Sequence, residues 1–224
     1  MLNRNEIKTK VIQEIEQCYA VEQKKLVGIG VKHQTEGEIR YAAGVLVENI
    51  LQKIFDTINS FLGNDKIISK VGSTDYLKKE TLYKGKIYTN NKIQVDRHVW
   101  YQGKRIAFIE NKTYLDSCYY DRALADFKKI CQALLQAKQN PCDCLFIVFA
   151  GQKAGRENTF LTYEAEFWHE TKSIINKPFG IEPKTIYFLT GTRNSARPLY
   201  KIKHNLNYAQ IELLVDMILN QIEK

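Results

Sequence analysis

Nothing in this sequence repeats, no tract is of low complexity, and no stretch reads as a linker. Solenoids, tails and beads-on-a-string architectures are thereby excluded. No apolar run reaches the roughly 18 residues that a membrane-spanning helix needs. The opening residues, MLNRNEIKTKVIQEIEQ, are charged where a secretory leader would be apolar. A cytoplasmic protein with no membrane partner is therefore expected. The five cysteines (Cys18, Cys118, Cys131, Cys142, Cys144) are odd in number, and Cys142-Asp143-Cys144 has no second pair to complete a zinc site. Buried thiols in a reducing compartment are the expectation. Acidic residues are in deficit, 25 against 33 Lys and Arg, for a net charge of +8. That surplus permits a polyanionic partner without requiring one.

What is present is ordinary globular composition, with 44% hydrophobic and 26% charged residues. The 224 residues fit a single domain, with N-terminal helices over 1–62 packing on or preceding a core over 63–224. Ile7, Val11, Ile12, Ile15 and Tyr19 fall near helical spacing in the first 20 or so residues. A second helix is predicted from about Tyr41 to Leu62, ended by Gly63-Asn64-Asp65. After a mixed segment with Gly-containing turns, a hairpin centres on Tyr101-Gln102-Gly103-Lys104. A helix from about Ser117 to Gln139 then stops at Asn140-Pro141. Cys144–Gly151 is a continuous apolar run, as in a central strand covered on both faces. Thr162–Ile175 reads as helix, Thr185–Gly191 as a buried strand and Tyr208–Ile222 as a C-terminal helix. The order implies an α/β domain, a mixed central β-sheet flanked by helices.

The hairpin carries the chemistry. Strict alternation along Arg105–Lys112 sets Ile106, Phe108, Glu110 and Lys112 on one face, so two ionisable groups continue a core row. Whether Asp96 joins them depends on the loop. A two-residue Gln102-Gly103 loop turns Asp96 away from Glu110; a three-residue loop ending on a left-handed Gly103 sets Asp96 beside both Glu110 and Lys112. The functional reading requires the odd loop. Two carboxylates so placed repel unless a cation lies between them. A hard divalent ion satisfies both, and the backbone carbonyl of Asn111 adds a ligand. With a lysine beside it, such a site suits metal-assisted hydrolysis of a phosphodiester.

Asp96 followed by Glu110-Asn111-Lys112 after a hairpin resembles the PD-(D/E)xK nuclease signature, most familiar from type II restriction endonucleases. Val95 stands where that signature has proline. The resemblance implies a restriction-endonuclease-like core. It also implies Mg²⁺, with Mn²⁺ as substitute, held by Asp96 and Glu110, and a catalytic Lys112. The expected activity is sequence-specific cleavage of double-stranded DNA by a homodimer, whose two sites match a double-strand cut. Glu48, in the second helix, is the candidate for an extra carboxylate, with Glu80 its competitor. Asp121-Arg122 is similar to an acid-Arg pair that contacts bases or links subunits in enzymes cutting AATT-centred sites. A repair, recombination or phage nuclease of the same fold is an alternative. So is a non-catalytic basic DNA-binding module in which the cluster is a buried salt bridge.

Three stretches could hold phosphates or bases. Ser69–Lys86 offers Lys70, Ser73 and Lys84. Gly151–Asn158 offers Lys153 and Arg156. Gly191–His204 offers Arg193, Asn194, Ser195 and Arg197, whose Arg and Asn suit readout of guanine and adenine. His98 on the Asp96 face, the lone His169 in Glu164–Glu170, and Trp100 and Trp168 are read as structural.

Overall fold

The computed structural model describes residues 3–31, 35–63, 66–71, 77–154, 175–193 and 204–224. Two helices come first, α1 (Arg4–Val31) and α2 (Glu36–Leu62). Helix α2 starts five residues before the expected Tyr41. Thr35 and Glu38 form a capping box in which the Thr35 N–H donates to Glu38 Oε2 at 2.8 Å. Leu46, Val47, Ile50, Leu51, Ile54, Phe55 and Ile58 form its buried stripe, and Gly63 closes it in a left-handed conformation.

Strands β1 (Ile67–Val71), β4 (Arg97–Tyr101), β5 (Lys104–Leu115), β6 (Leu145–Ala154) and β7 (Lys184–Tyr187) lie in the spatial order β1-β4-β5-β6-β7, and β8 (Thr192–Arg193) adds to β6. The β1–β4 and β4–β5 pairs are antiparallel; β5–β6, β6–β7 and β6–β8 are parallel. Strands β2 (Leu77–Tyr83) and β3 (Lys86–Ile93) form a separate two-stranded sheet. Helix α3 (Ser117–Gln136) follows β5, and α4 (Tyr208–Ile222) ends the described chain.

The sheet has a core on each face. Ala107, Ile109, Ile147 and Phe149 pack with α1, α2 and α4, whereas Phe108, Phe146, Val148 and Ala150 pack with Leu124, Phe127 and Ile130 of α3. Phe146–Ala150 of β6 is buried throughout, as its unbroken apolar run requires. The expected α/β organisation, a mixed sheet flanked by helices, is thus present. Most of the expected Thr162–Ile175 helix lies outside the described residues. The cysteines depart from expectation in part. All five are free, but Cys118 and Cys142 are exposed, while burial pushes the Cys131 thiol up to about 12 and that of Cys144 to about 11.

The β4–β5 register corrects the sequence reading in two places. Tyr101 pairs with Lys104, so the loop is the two-residue Gln102-Gly103 and not an odd one. Both loop residues have positive φ, 48° and 79°, the geometry of a type I′ turn. The phase shift comes from a β-bulge instead. Trp100 pairs with Arg105 but Val99 pairs with Ala107, leaving Ile106 as an extra residue on β5. Ile106 therefore packs in the α1–α2 core with Ala107 and Ile109, not on the face of Phe108.

Candidate functional site

Beyond the bulge the pairs run Val99↔Ala107, His98↔Phe108 and Arg97↔Ile109. One step further in the same phase sets Asp96 opposite Glu110, and opposite residues of an antiparallel pair share a face. The side chains meet there. Lys112 Nζ donates to Glu110 Oε2 at 2.8 Å and lies 3.8 Å from Asp96 Oδ2. The Asn111 N–H donates to Asp96 Oδ2 at 2.7 Å, fixing the carboxylate against the backbone between the other two residues.

Burial sets the electrostatics. The Glu110 side chain is 8% exposed, that of Lys112 18%, and that of Asp96 41%. The cluster is therefore closed on the Glu110 side and open to solvent at Asp96. Desolvation, and secondarily the neighbouring Asp96 charge, push the Glu110 carboxyl up to about 7, with Lys112 opposing both. One ammonium thus leaves the pair of carboxylates under-compensated.

That imbalance bears on a divalent ion. Among the described residues no group of three or more His, Cys, Asp and Glu side chains is assembled for a metal. The donor set is two carboxylates, Asp96 and Glu110, with the backbone carbonyl of Asn111 directly after Glu110, all hard oxygens. Such a sparse set suits an ion that keeps several of its waters. The Asn111 side-chain amide, buried with neither Nδ2 nor Oδ1 hydrogen-bonded, lies by strand alternation on the other face of β5 from Glu110 and Lys112, so only the Asn111 backbone belongs to this donor set. The residues fit Mg²⁺ in donor type and in charge.

The sheet's other face holds Glu48. Its carboxylate is 3.7 Å from Arg97 Nη2, and Arg97 Nη1 donates to Gln52 Oε1 at 3.2 Å. Arg97, 8% exposed, ties the start of β4 to α2 directly beside Asp96 in the chain. Sequence reading passed over Arg97; its signal was a cation paired in register with the core residue Ile109. Glu80, the competitor, is held through its backbone, whose N–H and carbonyl bond the Gln136 amide in the last turn of α3. His98 is fully buried, edge-on to Phe108, with Nε2 accepting from the Val95 N–H at 3.5 Å, in keeping with a structural role.

The expected DNA-contacting residues spread widely. Lys70 is exposed on β1, its Nζ 5.4 Å from the Trp100 ring. Lys84 sits in the β2–β3 turn, Asp121 and Arg122 are exposed on α3, and Lys153 Nζ lies 5.3 Å from the Tyr187 ring. Arg193 ends β8. Ser73, Arg156, Asn194, Ser195 and Arg197 lie outside the described residues.

No family model matches the chain, and no curated protein matches it closely enough to be called a relative. Among the described residues no helix is long and apolar enough to cross a membrane.

Proposed function

We propose that the chain is a Mg²⁺-dependent endonuclease of the PD-(D/E)xK type, with a restriction-endonuclease-like core, cutting double-stranded DNA at specific sites as a homodimer in the cytoplasm. The observation that carries this reading is the convergence of Asp96, Glu110 and Lys112, with Lys112 within 2.8 Å and 3.8 Å of the two acids. A bulge whose evident effect is to restore that convergence strengthens it. Asp96, Glu110 and the Asn111 carbonyl would hold Mg²⁺, with Mn²⁺ as substitute. When bound, such an ion lowers the pKa of its water and offsets negative charge on the phosphate.

The chain's own residues supply the rest. Glu110, uneasy as an anion in its desolvated position, gains from any added positive charge. Asp96 is held in one orientation by the Asn111 N–H. Lys112 places an ammonium where it can orient an attacking water or balance the charge that builds on the phosphate oxygens. The exposure of Asp96 leaves a way in for the backbone of a nucleic acid.

Replacing Lys112 tests the assignment. Lys112→Ala is expected to reduce Mg²⁺-dependent cleavage of phage DNA about 10³-fold while duplex binding persists. Undiminished cleavage would overturn the assignment. Discrete fragments from the unaltered protein support site specificity; a smear would mark an unspecific nuclease of the same chemistry.

A further inference from the structure

The β2–β3 hairpin stands apart from the main sheet and is not needed to build the acid-lysine cluster. Its sequence from Leu77 to Ile93 carries five lysines against the single acid Glu80, half of the chain's net +8 in 17 residues. Leu77 and Ile93, at its base, pack with the α3-side core. Lys78, Glu80, Lys84, Lys86 and Ile87 are all exposed, Ile87 at 65%. A two-stranded hairpin is marginal by itself, and concentrated like charge makes it more so. An anionic partner removes that penalty.

Position and size narrow the partner. Ile93 is three residues from Asp96, at most about 11 Å of extended chain, so the ribbon and the acid cluster share one approach. The eight residues of β3 extend about 26 Å at ~3.3 Å per residue, the length of roughly eight base pairs at ~3.4 Å each. The B-form major groove, about 12 Å wide, admits a two-stranded ribbon. The basic surface also continues past the ribbon. Gln136 bonds its Glu80 backbone, and two residues on, Lys138 lines a cleft of about 620 Å³ with Lys104, Arg105 and Trp100.

We propose that the β2–β3 ribbon is a duplex-binding arm that enters the major groove beside the scissile phosphate. The proposal rests on the nuclease reading for the location of the cut and on the ribbon itself for the contact.

The test uses the full chain carrying Lys112→Ala, so that DNA is bound and not cut. Lys84→Asn with Lys86→Gln removes two cations at the tip, and Asn tolerates the positive φ at position 84. Duplex affinity is measured against salt. If each cation neutralises one phosphate, the slope of log affinity against log salt becomes shallower by about 1.8, with the melting temperature unchanged. An unchanged slope overturns the proposal. Bulky 5-substituents on cytosine, which fill the major groove, should weaken binding, and the penalty should shrink in the tip variant because the obstructed element is already impaired. A penalty of equal size in both proteins, or a loss of the tip effect on duplexes saturated with a minor-groove ligand, overturns the groove assignment. Anionic vesicles whose binding falls with the tip substitutions while duplex binding does not would identify a membrane arm and also overturn it. Cleavage by the chain with Lys112 intact is scored separately. A cutting enzyme with an unchanged slope sinks only the arm, and a non-cutting chain with the shallower slope sinks only the nuclease reading.

Discussion

The two hairpins share a design and differ in consequence. Each turns through two residues of positive φ, Lys84-Gly85 (48° and 75°) in one and Gln102-Gly103 (48° and 79°) in the other. Each then carries one extra residue on its return strand. In β2–β3 the register shifts between Lys79 and Thr81, and in β4–β5 between Val99 and Trp100. In the ribbon the shift occurs in a sheet of two strands. In β4–β5 it decides which side chains face α3, because Ala107, Phe108 and Ile109 are fully buried and lock the phase between two cores. A bulge is thus only as consequential as the packing that fixes it.

Changes of register separate the two most sharply. Inserting a glycine between Asp96 and Arg97 sends Asp96 and Glu110 to opposite faces, and cleavage should fall by at least about 10²-fold, the scale of a modest misplacement of reacting groups. A second inserted glycine returns Asp96 to the face of Glu110, so activity should return in part. If the double insertion is no more active than the single one, and circular dichroism shows both folded, register is not what unites the acids. Deleting Asn90 from β3 should instead raise the DNA concentration needed for cleavage and leave the saturated rate unchanged.

Each hairpin also bears an acid, Glu110 in a core-facing row and Glu80 at an exposed position of β2. The Glu110 carboxyl, pushed up from 4.5 to about 7, binds a proton in the folded state that the unfolded state has released. Between those values stability therefore falls as pH rises. At roughly 1.4 kcal/mol per unit, the anion costs at most about 3 kcal/mol above pH 7. Without added metal, Glu110→Gln should raise the melting temperature at pH 8 by roughly 5 °C and change it little at pH 5. A variant less stable at pH 8 than the parent would show that the bond to Lys112 outweighs burial. Glu80→Gln should stay within about 0.5 kcal/mol at either pH.

The legible parts of the fold were those governed by local pattern. The unbroken apolar run of β6, the apolar stripe of α2 and the start of α3 at Ser117 follow from side-chain period and burial. The start of α2 was legible too, since Thr35 and Glu38 carry the capping-box spacing, but the apolar stripe drew the boundary to Tyr41. The bulge was not legible. Ile106 is as apolar as its neighbours, so alternation assigns it to the Phe108 face, and only the tertiary demand of the α1–α2 core pulls it across. The acid cluster was recognised from residue types and spacing, yet the required phase was ascribed to the loop when it arises three residues later. Arg97 escaped because a buried cation is expected only once its partners, Gln52 and Glu48 on a distant helix, are known.

The turn glycines give the smallest and most discriminating contrast. Gly85 and Gly103 both hold positive φ, and a Cβ at either meets no atom within 4 Å. Alanine at each position should therefore cost the same local backbone penalty, about 1–2 kcal/mol, with no steric difference between them. What differs is where the cost registers. The β4–β5 turn belongs to the central sheet, and the Gln102 N–H donates to the Lys66 carbonyl ahead of β1, so its strain must be carried until the whole domain unfolds. Gly103→Ala should lower the global melting temperature by about 2–6 °C. The β2–β3 tip can open while the core stays folded, so Gly85→Ala should leave the melting temperature nearly unchanged and instead speed amide exchange in the ribbon. Equal losses of melting temperature would mean that the ribbon unfolds together with the core, and is a rigid extension of the domain instead of an arm that opens alone.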